Sequence, residues 1–95
     1  MPVVLVAKWT AKEGEEARVR DCLERLAPPS REEPGCRFYQ PCLDRQDPRV
    51  FLIFEIYDNE AALETHAASD HFGEIAAGEA FSLLESRERS YYETI

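Results

Sequence analysis

Glycine is scarce, four in 95 residues, and no two are neighbours. Without a Gly-rich loop, neither a dinucleotide fingerprint nor a phosphate-cradling P-loop can be built, and no G-x-S-x-G elbow marks a serine hydrolase. Positive charge is also short: 11 Lys and Arg face 19 Asp and Glu, a net charge of -8. That balance repels phosphate backbones and anionic headgroups, and no basic stripe interrupts it, so nucleic acid and membrane surfaces are not expected partners. Long apolar runs are missing too. The longest, residues 2–7, falls far below the ~20 residues of a membrane span, and no charged segment precedes it as in a signal peptide. The three cysteines, Cys22, Cys36 and Cys42, form no C-x-x-C pair or Cys/His cluster of zinc spacing. Cys36 and Cys42 on one extended strand would lie about 20 Å apart at ~3.3 Å per residue, too far to bridge. Small thiols in a reducing compartment are expected, hence a cytoplasmic protein.

What is present suits one folded domain, residues 1–95: 44% hydrophobic and 32% charged residues. A chain this short buries only roughly 60–65% of its unfolded surface, which makes a covering partner plausible. Residues 3–9, VVLVAKW, read as a strand with Val3, Leu5, Ala7 and Trp9 on one face. Val19, Cys22, Leu23 and Leu26 follow helical spacing, with acids at the start and Pro28-Pro29 expected to stop or kink the helix. EEPG then supplies a turn, CRFYQPCL a strand that Pro41 confines to an edge or bulge, and VFLIFEIY the strongest strand. Asp58 or Asn59 can cap a short helix to about Ala67, and Ser69 a second one with Phe72, Ile75, Ala76 and Leu83 as its apolar stripe. SRERSYYETI ends the chain as a strand.

The order β-α-β-β-α-β predicts an α+β, ferredoxin-like fold: a four-stranded antiparallel sheet with helices on one face. Its strands are apolar on both faces, so a second copy closing the open face, a homodimer, is expected.

Three residues draw chemical attention. Glu55 interrupts the most apolar strand, where a carboxylate needs a partner: either Arg87 or Arg89, or a pocket that uses it. His66 falls on the inner face of the short helix, able to move protons near neutrality. His71 belongs to the first turn of the next helix, where the dipole disfavours its charged form. The two histidines are the only ones in the chain and span a helix break, and no metal motif is spelled out, so no metal is expected. Aromatics are plentiful, and those near these groups can wall a pocket for a flat ligand.

EEPGCRFYQ, VFLIFEIYDNEAALETH and HAASDHF, in this order, resemble the antibiotic biosynthesis monooxygenase family, which includes quinol monooxygenases. The resemblance covers nearly the whole chain. It implies a dimeric α+β barrel and, in enzymatic members, oxygenation of phenolic or quinol-type aromatics by O2 without a cofactor. On that analogy His66 is the base, Glu55 and His71 orient it or the substrate, and Tyr57, Phe72 and Ile53 contact the substrate. A haem-degrading branch is disfavoured, because VAKW lacks its asparagine, His66 replaces its tryptophan and Ala76 falls near its axial histidine. The family also contains an isomerase of a small phosphorylated ketose and members without assigned function, so an isomerase and a non-catalytic binding domain stay open as alternatives.

Overall fold

The computed structural model describes residues 1–95. Its elements are β1 (Val3–Ala11), α1 (Glu16–Arg31), β2 (Cys36–Leu43), β3 (Val50–Tyr57), α2 (Glu60–Ala67), a π-helical turn (Phe72–Ala77), a 3-10 turn (Ala80–Leu83) and β4 (Leu84–Glu93). The strands form one antiparallel sheet in the order β2-β3-β1-β4. This is the ferredoxin-like βαββαβ arrangement. Pro41 lies on the edge strand β2, where its missing N–H removes no ladder bond from the sheet interior.

Strand periodicity sorts the side chains. Leu5, Ala7 and Trp9 of β1 pair with Glu55, Ile53 and Phe51 of β3 and share the face under the helices. Val19, Cys22, Leu23, Leu26, Ala27 and Ser30 form the buried stripe of α1, and most of these residues join that face of the sheet in one apolar cluster. Pro28 and Pro29 do not stop α1, which runs on to Arg31. They lie in its last turn, where the carbonyls they leave without a donor belong to the exposed residues Glu24 and Arg25, and the Glu32 N–H still reaches the Pro28 carbonyl at 3.3 Å.

Asn59 caps α2 by accepting from the Ala62 N–H at 2.9 Å. Ser69 caps the next segment: its Oγ accepts from the Phe72 N–H at 3.3 Å and donates to the His66 carbonyl at 2.7 Å. Instead of one regular helix, this segment widens into the π-helical turn, closed by the Gly78 N–H on the Gly73 carbonyl at 2.9 Å. Leu83 consequently leaves the expected stripe and is buried from the 3-10 turn.

Candidate active site

Four elements bring the polar residues together. Glu55 comes from β3, His66 from the last turn of α2, His71 from the start of the widened turn, and Glu33 from the loop between α1 and β2. Gly35 makes the last placement possible: a Cβ there would lie 2.5 Å from the Cβ of Ala62, so only glycine lets this loop rest against α2. The Asp58 N–H fastens the loop by donating to the Gly35 carbonyl at 2.9 Å.

Oε2 of Glu33 is thereby held 2.8 Å from Nδ1 of His66 and 2.6 Å from Nε2 of His71. A carboxylate only accepts, so both ring nitrogens donate to it. His66 is 3% exposed, and burial lowers its pKa against the opposing pull of Glu33. A neutral His66 with Nδ1–H facing Glu33 carries its lone pair on Nε2, and Nε2 points at Glu55, 3.7 Å from Oε1. The same Oε1 accepts from the Tyr57 hydroxyl at 2.5 Å. Burial raises the Glu55 pKa to about 7, the Tyr57 bond pulls it back and the charge of Glu33 pushes it further up. Near neutral pH, Glu55 is thus poised to hold or release a proton. Rings of Tyr39, Tyr57 and Phe72 enclose the His66 imidazole at centroid distances of 5.7, 5.3 and 5.3 Å.

Beside this cluster, between sheet and helices, lies a cavity of about 140 Å³. Glu55, His66, Ile53 and Phe72 line it, together with Trp9, Tyr39, Phe81 and Tyr91. Tyr57, expected at the wall, is fully buried behind Glu55 as its hydrogen-bond donor. His71 is likewise set back from the cavity and meets it only through Glu33 and His66. The anticipated pairing of Glu55 with Arg87 or Arg89 is not made, although both arginines line the same cavity. Sequence reasoning missed Glu33, which lies 33 residues from His66 in the chain inside what reads as a plain turn. The one available signal was the glycine two residues later, whose purpose is close approach.

Glu33, His66 and His71 each offer one ligand atom, all within 4.8 Å of one another, a donor set that suits Zn²⁺ or non-haem iron. Yet the 2.6 and 2.8 Å separations are hydrogen-bond lengths. As placed, these groups share protons with one another.

The sequence profile of the family described as antibiotic biosynthesis monooxygenase matches residues 2–78. The chain belongs to that family. Among curated proteins it is 30% identical over 71 residues to Rv0793 of Mycobacterium tuberculosis, whose name provisionally calls it a monooxygenase; the match covers 75% of this chain and 69% of that protein. It is 32% identical over 73 residues to the uncharacterized protein sll1783 of Synechocystis, of which it spans only half the length, the match covering 77% of this chain and 50% of that protein. Among solved structures, PA3566 from Pseudomonas aeruginosa superimposes with a TM-score of 0.91 at 34% identity over 99% of this chain and 94% of that one. Rv0793 superimposes with a TM-score of 0.91 at 25% identity, over 100% and 96%.

Proposed function

We propose that residues 1–95 act as one domain that oxygenates a phenolic or quinol-type aromatic with O2 and without a cofactor. The observation that carries this reading is the Glu33–His66 dyad, which aims the free Nε2 of a neutral imidazole at Glu55 on the wall of an aromatic cavity. Glu33 fixes the tautomer, as a carboxylate does for the imidazole of a hydrolase triad. His66 Nε2 takes the phenolic proton, and the resulting anion is electron-rich enough to reduce O2 itself. For a hydroquinone the balance is one substrate plus one O2 to one hydroxyquinone plus one water. The O–O bond breaks, one C–O bond forms on the ring, and the substrate supplies all four electrons. Glu55, poised near neutrality, returns a proton to the departing oxygen. Tyr57 orients Glu55, His71 orients Glu33, and Phe72 with Ile53 contacts the ring.

The assembly proposed with it is a homodimer closed through the open face of the sheet. Phe38, Leu52 and Tyr92 are 47%, 37% and 57% exposed there, and Phe38 stacks edge-on against Phe54. A second copy would cover this apolar patch and leave the cavity, on the opposite face, accessible. The free cysteines fit a cytoplasmic setting.

The test is oxygen uptake by chelator-treated protein with a panel of hydroquinones and anthrone-type phenols, beside His66→Ala. Uptake that disappears in a folded His66→Ala protein supports the reading. No uptake on any of them transfers the cavity to the binding-domain or isomerase alternatives.

A further inference from the structure

Arg87 and Arg89 are two like charges side by side on β4, on the face that lines the cavity. Across the sheet they pair with Trp9 and Ala7, not with acids, and neither forms an ion pair with any carboxylate. Two acids, Glu55 and Glu64, line the same cavity, but Glu55 already accepts from the Tyr57 hydroxyl and neither acid lies within ion-pairing distance of these arginines. Two cations without a carboxylate partner stand out in a chain of net charge -8. The Arg87 guanidinium is also held in place, 3.8 Å above the Phe81 ring. Unpaired arginines set beside an apolar cavity are a carboxylate-binding arrangement in want of its carboxylate.

Size narrows the ligand further. A cavity of about 140 Å³ is close to the ~150 Å³ that accommodates benzene, and well below the ~300–1,000 Å³ of sites for multi-ring ligands. Arg89 lies two strands from β3 through Ala7 and Ile53, about 10 Å at ~4.8 Å per strand. The arginines and Glu55 therefore border one cavity from strands on either side of β1.

We propose that the cavity selects a one-ring aromatic acid, with its carboxylate held by Arg87 and Arg89 and its ring hydroxyl against His66 and Glu55. The inference rests on the oxygenase reading for the role of the hydroxyl alone; the charge selection stands on the arginines. The aromatic lining, Trp9, Tyr39, Phe72, Phe81 and Tyr91, favours a ring over a phosphorylated polyol, the other small anion that two arginines would attract.

The test is calorimetric titration of the full chain under nitrogen with 2,5-dihydroxybenzoate, with hydroquinone, its counterpart without the carboxylate, and with dihydroxyacetone phosphate. The acid is expected to bind about tenfold or more tightly than hydroquinone, as a charge-assisted pair supplies. Arg87→Gln/Arg89→Gln should bring that ratio close to one, and Arg87→Lys/Arg89→Lys should restore part of it, which a merely structural role would not do. A ratio near one in the native protein, a ratio unchanged in the glutamine variant, tighter binding of the phosphate ester, or no binding by any of the three overturns the proposal. Because oxygen is absent, the outcome is separate from the proposed reaction. Preference for the acid without oxygen uptake in air would remove the oxygenase and keep the anion site, whereas uptake without preference would do the reverse.

Discussion

The two faces of the sheet invert the usual expectation. The covered face holds Glu55 and His66, at 4% and 3% exposure, inside the apolar layer. The open face displays Phe38, Leu52 and Tyr92 to solvent. Burying ionisable groups costs several kcal/mol unless each is answered, whereas showing hydrocarbon to water is tolerated until a partner arrives. On the proposed reading the first arrangement serves chemistry and the second association, and substitutions on the two faces should therefore respond to different measurements.

The largest effect is expected at the dyad. His66→Ala should lower oxygen-dependent turnover by ~10²–10⁴-fold, the usual weight of a positioned general base. Rates within threefold of the native protein would leave the covered face without its proposed role. Circular dichroism of the same sample checks that the fold persists.

Next comes the pH dependence of stability, which burial of Glu55 controls with a definite sign. Its folded pKa, about 7, stands above the ordinary value of 4.5. Between these two values the unfolded chain has released the proton and the folded chain retains it, so stability falls as pH rises, by about 3 kcal/mol in full above pH 7. His66 acts oppositely: its folded pKa is depressed, so its contribution is present above about 6.5 and lost as pH falls below that. The difference between native protein and Glu55→Gln isolates the first effect. Urea midpoints at pH 4.5 and pH 8 should show the glutamine variant gaining on the native chain at the higher pH, and parallel profiles would contradict a carboxyl whose pKa is raised by burial.

A somewhat smaller cost is expected where the loop meets α2. Gly35→Ala puts a methyl group 2.5 Å from Ala62 Cβ, an overpacking worth ~1–3 kcal/mol, and moves Glu33 off His66. Adding Ala62→Gly should recover most of the loss. If the double variant is no better than the single one, contact with Ala62 is not what the glycine relieves.

The smallest effect on the fold belongs to the open face. Phe38→Ser should cost the isolated chain about 1 kcal/mol, the weight of its edge-on contact with Phe54, yet weaken self-association, seen as a lower sedimentation coefficient at the same concentration. A native chain that already sediments as a monomer at micromolar concentration would end the proposal of a second copy.

The fold was readable because period-two and period-3.6 patterns alternate along the chain. Alternation puts Phe51, Ile53, Glu55 and Tyr57 together on one face of β3, but with both faces apolar only packing decides which one meets the helices. Glu55 and His66 were readable as outliers within those patterns. Glu33 was not, because nothing local distinguishes the two acids of EEPG; tertiary contact alone selects the second. The widening of the helix after His71 was equally hidden, since a π-helical turn uses the same residues as an α-helix and is set by packing. Periodicity also grouped Tyr57 with Glu55 without revealing that Glu55 stands between it and the cavity.

One feature of α2 bears on how a ligand gets in. Six residues of α1 are buried, but His66 is the sole buried residue of α2. With Ala62 and Leu63 only half-buried beside it, α2 should open more often than α1, on a timescale that amide exchange can follow. The helix that walls the cavity would then also offer a way into it, between the Asn59 cap and Ser69.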